Sequence, residues 1–159
     1  MSENHGLNNP GFILVPITPL AHAPENLPAY QTPGSVGMDV QAALTEPLTL
    51  EPLQRTLIPT GFIVCIPEGF EIQVRARSGI SIKYGITLIN GVGTIDSDYR
   101  DELKIPLVNL SNEAYTIQPG DRIAQLVLAP VIKAGWHVLP SLEAEKTLVR
   151  QGGFGSTGR

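Results

Sequence analysis

The sequence predicts an all-β chain, an antiparallel sandwich or barrel with little helix. Three observations carry that expectation. Short apolar or alternating runs rich in β-branched residues follow one another from Phe12 to about Leu139. Glycine (16) and proline (14) cut these runs at close intervals, the punctuation of short antiparallel strands rather than of βαβ units. Helical spacing is nearly absent, and only "SLEAEKTLV" (141–149) suggests a helix.

Along the chain, residues 1–10 ("MSENHGLNNP") read as a polar leader and residues 11–140 as one β domain. "FIVCI" (62–66), "PEG" and "FEIQVRAR" (70–77) read as a hairpin. In its second strand Phe70, Ile72 and Val74 alternate with Glu71, Gln73 and Arg75, a half-buried pattern. "ITLIN" (86–90) breaks at "GVG", and "ELKIPLVNL" (102–110) alternates with Leu103, Ile105 and Leu107 on one face. "AYTIQ", "PGD" and "RIAQLVLAPV" (114–131) read as a further strand-turn-strand unit. Residues 141–159 form a C-terminal arm ending in "RQGGFGSTGR". That ending is too poor in apolar surface to offset its ordering entropy, so a flexible arm is expected.

Composition excludes several classes of function. A net charge of −4 argues against nucleic acid or an acidic membrane as a partner, since both need a basic surface. No apolar stretch approaches the ~18 residues of a membrane span, and "GFILVPITPL" lacks the basic lead of a signal peptide. The lone Cys65 allows no internal disulfide and fits a reducing, cytoplasmic setting; within "GFIVCIP" it reads as a buried small hydrophobe. His5, His22 and His137 are too scattered for a zinc site.

Five segments depart from plain strand or turn composition: "PGSVGMDV" (33–40), "VRARSGIS" (74–81), "NGVGTIDSDYRDE" (90–102), "GDRIAQLVL" (120–128) and the tail. Singly, each reads as a turn or a solvated loop. In this order and at these spacings they resemble the five motifs of the trimeric dUTP diphosphatase (dUTPase) family, from about Leu27 to Gly158. The most specific matches are "GTIDSDYR", "RSG", "GDRIAQLVL" and "GGFGSTG". The resemblance implies a jelly-roll-like subunit and a homotrimer whose three sites are each built from all three chains. It also implies Mg²⁺-dependent conversion of dUTP to dUMP and pyrophosphate.

Carried onto this chain, the resemblance implies the following roles. Asp96 orients and partly deprotonates a water for in-line attack on the α-phosphorus. Asn90 and the backbone of Gly93, Thr94 and Ile95 pair with the uracil edge, and Tyr99 packs on the deoxyribose where a 2′-hydroxyl would clash. Lys104 adds a backbone contact to the nucleoside. Arg77, Ser78, Gly79 and Gln125 grip the phosphates, and Asp39 holds waters of Mg²⁺ as an outer-shell carboxylate. Phe154 stacks on the base, while Gly155, Ser156, Thr157 and Arg150 close over it as a lid.

Three positions depart from the family pattern. Ala76 stands where a proline is usual, Asp101 where a glycine is usual after "DYR", and the tail arginine, Arg150, sits one place late. The glycine-rich arm is expected to absorb that slip. A sister reading on the same fold, dCTP deaminase, fits less well: the Ser-Arg pair followed by a catalytic glutamate is missing. A nucleotide-binding regulator without turnover and a jelly-roll interaction module that binds no nucleotide are the remaining alternatives.

Overall fold

The computed structural model describes residues 11–141. Twelve strands and one helix follow in order: β1 (Ile17–Pro19), β2 (Ala29–Tyr30), β3 (Met38–Gln41), β4 (Leu48–Leu50), β5 (Arg55–Pro59), β6 (Phe62–Val64), β7 (Phe70–Arg75), α1 (Ser78–Tyr84), β8 (Ile86–Leu88), β9 (Val92–Ile95), β10 (Lys104–Asn109), β11 (Tyr115–Ile117) and β12 (Arg122–Pro130). Every pairing is antiparallel. The main sheet runs β2-β3-β12-β7-β9; a smaller β5-β10-β8 sheet and the pairs β1-β6 and β11-β4 share one apolar core with it.

The alternation read from the sequence sets which face is buried. Ile72 and Val74 of β7 and Leu103, Ile105 and Leu107 at β10 are at most 2% exposed, and the outward residues of β7 form a polar ladder. In it Arg75 donates to the Gln73 side chain (2.6 Å) and Gln73 to Glu71 (2.8 Å). Pairing partners are another matter. β6 pairs with β1 and not with β7; β11 pairs with β4 and not with β12; β8 and β9 leave the Asn90–Gly91 turn for different sheets. Among the described residues only β2 and β3 are consecutive strands that pair. Each expected hairpin is therefore a crossing between sheets, as a jelly roll requires.

The helix lies where the sequence showed only a strand ending. α1 has two turns and no buried residue, so it carries no apolar period for a sequence reading to detect. Its stop signal is Gly85 (φ +68°), where a Cβ would press against Ser111 at 2.9 Å. The helix suggested for 141–149 lies outside the described residues, apart from Ser141. Cys65 is half-buried and free. Two buried polar side chains are satisfied by main-chain carbonyls: Thr60 donates to that of Leu103 (2.7 Å) at the end of the β5–β10 ladder, and Asn109 of β10 donates to those of Leu50 in β4 and of Glu113 (2.9 and 2.8 Å). Leaving such a group unpaired would cost about 1–3 kcal/mol.

Candidate active site

The outer face of the main sheet gathers the first, second and fourth segments. Asp39, Gln125, Arg75 and Val92 stand in one row across β3, β12, β7 and β9. A register shift between Arg122 and Ala124 turns Ile123 into the core and leaves Arg122 and Gln125 outside. Arg77, the N-cap residue of α1, folds back onto this row. Its Nε donates to Asp39 Oδ1 at 3.0 Å, and a terminal nitrogen donates to the Arg122 carbonyl at 2.8 Å. Arg122 donates to the other oxygen, Asp39 Oδ2, at 3.2 Å and to the Gln31 side chain at 3.3 Å. One carboxylate thus aligns two guanidiniums. The Asp39 side chain is 13% exposed and that of Arg77 24%, so the pair is sheltered but open to an anion. Gln125 donates to the Ala76 carbonyl at 2.9 Å. Gly37 lies directly over it, since a Cβ there would fall 2.3 Å from Gln125 Oε1. Ser78 and Gly79 are exposed in the first turn of α1.

The third segment occupies another corner. Gly91 takes φ +74°, and Gly93 is buried so tightly on Val74 that a Cβ would meet it at 3.0 Å. Asn90, Thr94 and Asp96 are exposed and Ile95 is half-buried. Asp96 lines an open cleft of about 730 Å³ with Asp98, Glu68, Glu71 and Lys133. Size does not select this cleft, because one of about 740 Å³ beside Phe12, Tyr30 and Phe70 contains none of the site residues. Tyr99 is half-buried, its hydroxyl donating to the Glu102 carbonyl at 2.9 Å. Burial, with the charges of Asp101 and Glu102, raises the Tyr99 pKa, which keeps that hydroxyl protonated. Lys104 is exposed at the start of β10.

The two corners do not meet within one chain. Asp96 follows Ile95, which pairs with Ile72, whereas the Asp39–Arg77 contact lies in the row of Arg75. That is about 13 Å along the strands, and from β3 to β9 about 14 Å across them, so some 20 Å separates the two groups. Arg150, Phe154, Gly155, Ser156 and Thr157 lie outside the described residues. Sequence reasoning gave Arg122 no role, although it stands inside "GDRIAQL". Its contact with Asp39 comes from strand register, which no local pattern displays.

The fold and these two corners define an all-β jelly-roll protein with anion-ready arginines at one end of a sheet and a glycine-bounded, acid-bearing turn at the other. Comparison with known proteins narrows that class. The dUTPase family model matches residues 23–158. The deoxyuridine 5'-triphosphate nucleotidohydrolase of Wolbachia sp. subsp. Brugia malayi (strain TRS) is 53% identical over 148 residues, 92% of this chain and 95% of that protein. Its namesake from Finegoldia magna is 58% identical over 132 residues, 83% of this chain and 91% of that one. Among solved structures, a mutant dUTPase of Staphylococcus bacteriophage 80alpha with dUpNHpp superposes with a TM-score of 0.79 at 24% identity, covering 92% of this chain and 99% of that one. A mutant dUTPase from phage phi11 of S. aureus, described as coordinating a structural Mg(II) ion, gives 0.73 at 25% identity over 82% of this chain and 99% of that one. The chain belongs to the dUTPase family.

Proposed function

We propose that the chain is a dUTP nucleotidohydrolase that assembles as a homotrimer and forms dUMP and pyrophosphate by attack of water on the α-phosphorus. Such an enzyme limits uracil entry into DNA and supplies dUMP for dTMP synthesis. Family membership supports the activity. The observation that carries the assembly is the separation of some 20 Å between Arg77 and Asp96, derived from strand register. A triphosphate held by Arg77 of one copy meets the Asp96 corner of a second, and the arm of residues 141–159 supplies the lid.

The roles follow from chemistry at each atom. Arg77 is already aligned by Asp39 and keeps part of its five-donor fork for phosphate oxygens. Ser78 adds a hydroxyl, Gly79 an N–H, and Gln125 its second amide hydrogen. In the neighbouring chain, the Gly93 to Ile95 backbone and Asn90 read the uracil edge, Tyr99 packs on the deoxyribose, and Lys104 adds a backbone contact. Asp96 orients the attacking water, and its contribution is mainly one of positioning. Phe154 stacks on the base, and Arg150, Gly155, Ser156 and Thr157 close on the outer phosphates.

Mg²⁺ fits this donor set in one way. Among the described residues no group of three or more His, Cys, Asp or Glu side chains could hold a metal. Both Asp39 oxygens already accept from arginines. Asp39 can therefore hold only metal-bound waters through its remaining lone pairs, while the triphosphate provides the inner ligands, a common habit of this ion. When bound, the ion would neutralise charge building on the departing pyrophosphate. The proposal includes a cytoplasmic enzyme without nucleic-acid or membrane partners. Among the described residues no helix is long and apolar enough to cross a membrane.

A mixing experiment tests it. Asp96→Asn and Arg77→Ala proteins are each expected to be nearly inactive in pyrophosphate release from dUTP with Mg²⁺. Unfolded and refolded together in equal amounts, they should regain activity, because about a quarter of sites in random mixed trimers receive both intact residues. No recovery from mixed trimers of confirmed size would defeat the shared site. Ammonia release from dCTP, or tight dUTP binding without turnover, would defeat the activity.

A further inference from the structure

We propose that His22 and Glu102 are positioning residues for Tyr99, acting through the Glu102 carbonyl to set how the enzyme tells deoxyribose from ribose. The proposal rests on the reading of Tyr99 as the sugar contact.

The Tyr99 ring is held at its hydroxyl end by one bond, to the carbonyl oxygen of Glu102. That carbonyl belongs to a residue whose own side chain is fixed from two other parts of the chain. Glu102 Oε1 accepts the Gly61 N–H at 2.9 Å and lies 2.7 Å from His22 Nε2. An ionised carboxylate only accepts, so it can take both donors on one oxygen. Burial works against that ionised form, but the bonds from His22 and the Gly61 N–H, aided by the charges of His22 and Lys104, outweigh it and hold the pKa of Glu102 low.

The turns that carry the partners of Glu102 are packed against one another. Gly61 takes φ +77°, and a Cβ there would lie 2.4 Å from the Ala23 Cα, so the turn bearing His22 is pressed directly on the β5–β6 turn. Leu20 N–H donates to the Gly61 carbonyl at 2.7 Å, and the Ala23 N–H back to Leu20 at 3.0 Å. The next residue, Leu103, is fully buried; its N–H donates to Phe62 (3.0 Å) and its carbonyl accepts from the Thr60 hydroxyl (2.7 Å). On the other side of Tyr99, Arg100 closes its own turn by donating to the carbonyls of Ser97 (2.7 Å) and Tyr99 (2.8 Å). Tyr99 therefore spans a self-closed turn and a three-segment block, and the Glu102 carboxylate fixes the edge of that block facing it.

This arrangement separates stability from selectivity. Leu103 in the core anchors the strand, whereas the carboxylate sits near the surface beside a histidine whose side chain is 40% exposed. Removing the carboxylate leaves the Gly61 N–H without its acceptor and lets the Glu102 carbonyl drift. A displacement of an ångström is enough to blunt exclusion of a hydroxyl.

The test is the ratio of kcat/KM for dUTP to that for UTP, measured on the full-length assembled enzyme by pyrophosphate release. Glu102→Ala is expected to narrow the ratio about 10-fold with kcat for dUTP changed less than about threefold. Glu102→Gln keeps a carbonyl acceptor at the Oε1 position and should restore most of the ratio. His22→Ala should narrow it about threefold and add nothing on top of Glu102→Ala, since contacting residues do not act additively. The proposal is overturned if Glu102→Ala lowers both nucleotides equally, or if Gln rescues no better than Ala. Should Glu102→Ala fail to fold, the exposed His22→Ala decides, and an unchanged ratio there overturns it. Tyr99→Ala reports separately: if that change leaves the ratio intact, the sugar-contact reading falls instead.

Discussion

The two corners of the main sheet solve opposite problems. The Asp39 corner is built from side chains: one carboxylate orients two arginines, and a glutamine is held against a backbone carbonyl under a glycine. The Asn90 to Tyr99 corner is built mainly from backbone, with Gly91 at φ +74°, Gly93 packed on Val74, and Asn90, Thr94 and Asp96 exposed. Charge of a fixed sign, such as a triphosphate, is best met by pre-aligned cations. A flat base edge with alternating donors and acceptors is best met by main-chain N–H and C=O groups that glycine lets approach closely. Removing a side chain should therefore hurt the first corner by misaligning its neighbours, and the second only where a side chain itself does chemistry.

The largest effect is expected from Asp96→Asn. The substitution replaces the carboxylate proposed to position the attacking water with an amide of the same shape. Turnover is expected to fall by roughly 10²–10⁴-fold, the usual contribution of a positioned general base. Binding of dUTP, followed by calorimetry, should stay within a few-fold of the unsubstituted enzyme. A kcat that survives would remove Asp96 from the chemistry.

Asp39→Ala should come next in size. It releases Arg77 Nε and Arg122 together and leaves two guanidiniums facing one another without their shared anion. A loss of about 10²-fold in kcat/KM is expected. Arg122→Ala should cost less, because Asp39 still holds Arg77 through Oδ1. If the two variants lose equally, Arg122 meets the phosphate itself rather than balancing Asp39.

How much of this was legible beforehand divides along the same line. The fold class and buried faces were legible, because alternation in β7 and at β10 directly reports which side chains point inward. The strand partners were not. Alternation says which face a strand buries and nothing of which strand lies beside it, so β6–β7 and β11–β12 looked like hairpins while each strand paired elsewhere. The family was legible through the motifs that carry the resemblance. The Arg122–Asp39 and His22–Glu102 contacts were not, since they join residues 83 and 80 positions apart. Helix α1 hid for a third reason: none of its seven residues is fully buried and only Ile80 packs on the core, so no helical period shows.

The smallest expected effect distinguishes close packing from open space at two glycines of the first and second segments. At Gly37 an added Cβ would meet Gln125 Oε1 at 2.3 Å and the Gln125 Cβ at 3.1 Å, so the glutamine must leave its bond to Ala76 or β3 must shift. At Gly79 nothing lies within 4 Å of the same methyl group, and alanine suits a helix better than glycine. Gly37→Ala is therefore expected to destabilise by about 1–2 kcal/mol in thermal unfolding and to cut kcat/KM about 10-fold by displacing the amide proposed to face the phosphates. Gly79→Ala should leave stability level or slightly raised, and any activity loss there reflects the ligand's approach to the backbone. Equal stability in both variants would mean that Gln125 moves aside freely, and the first corner would then be as adaptable as the second.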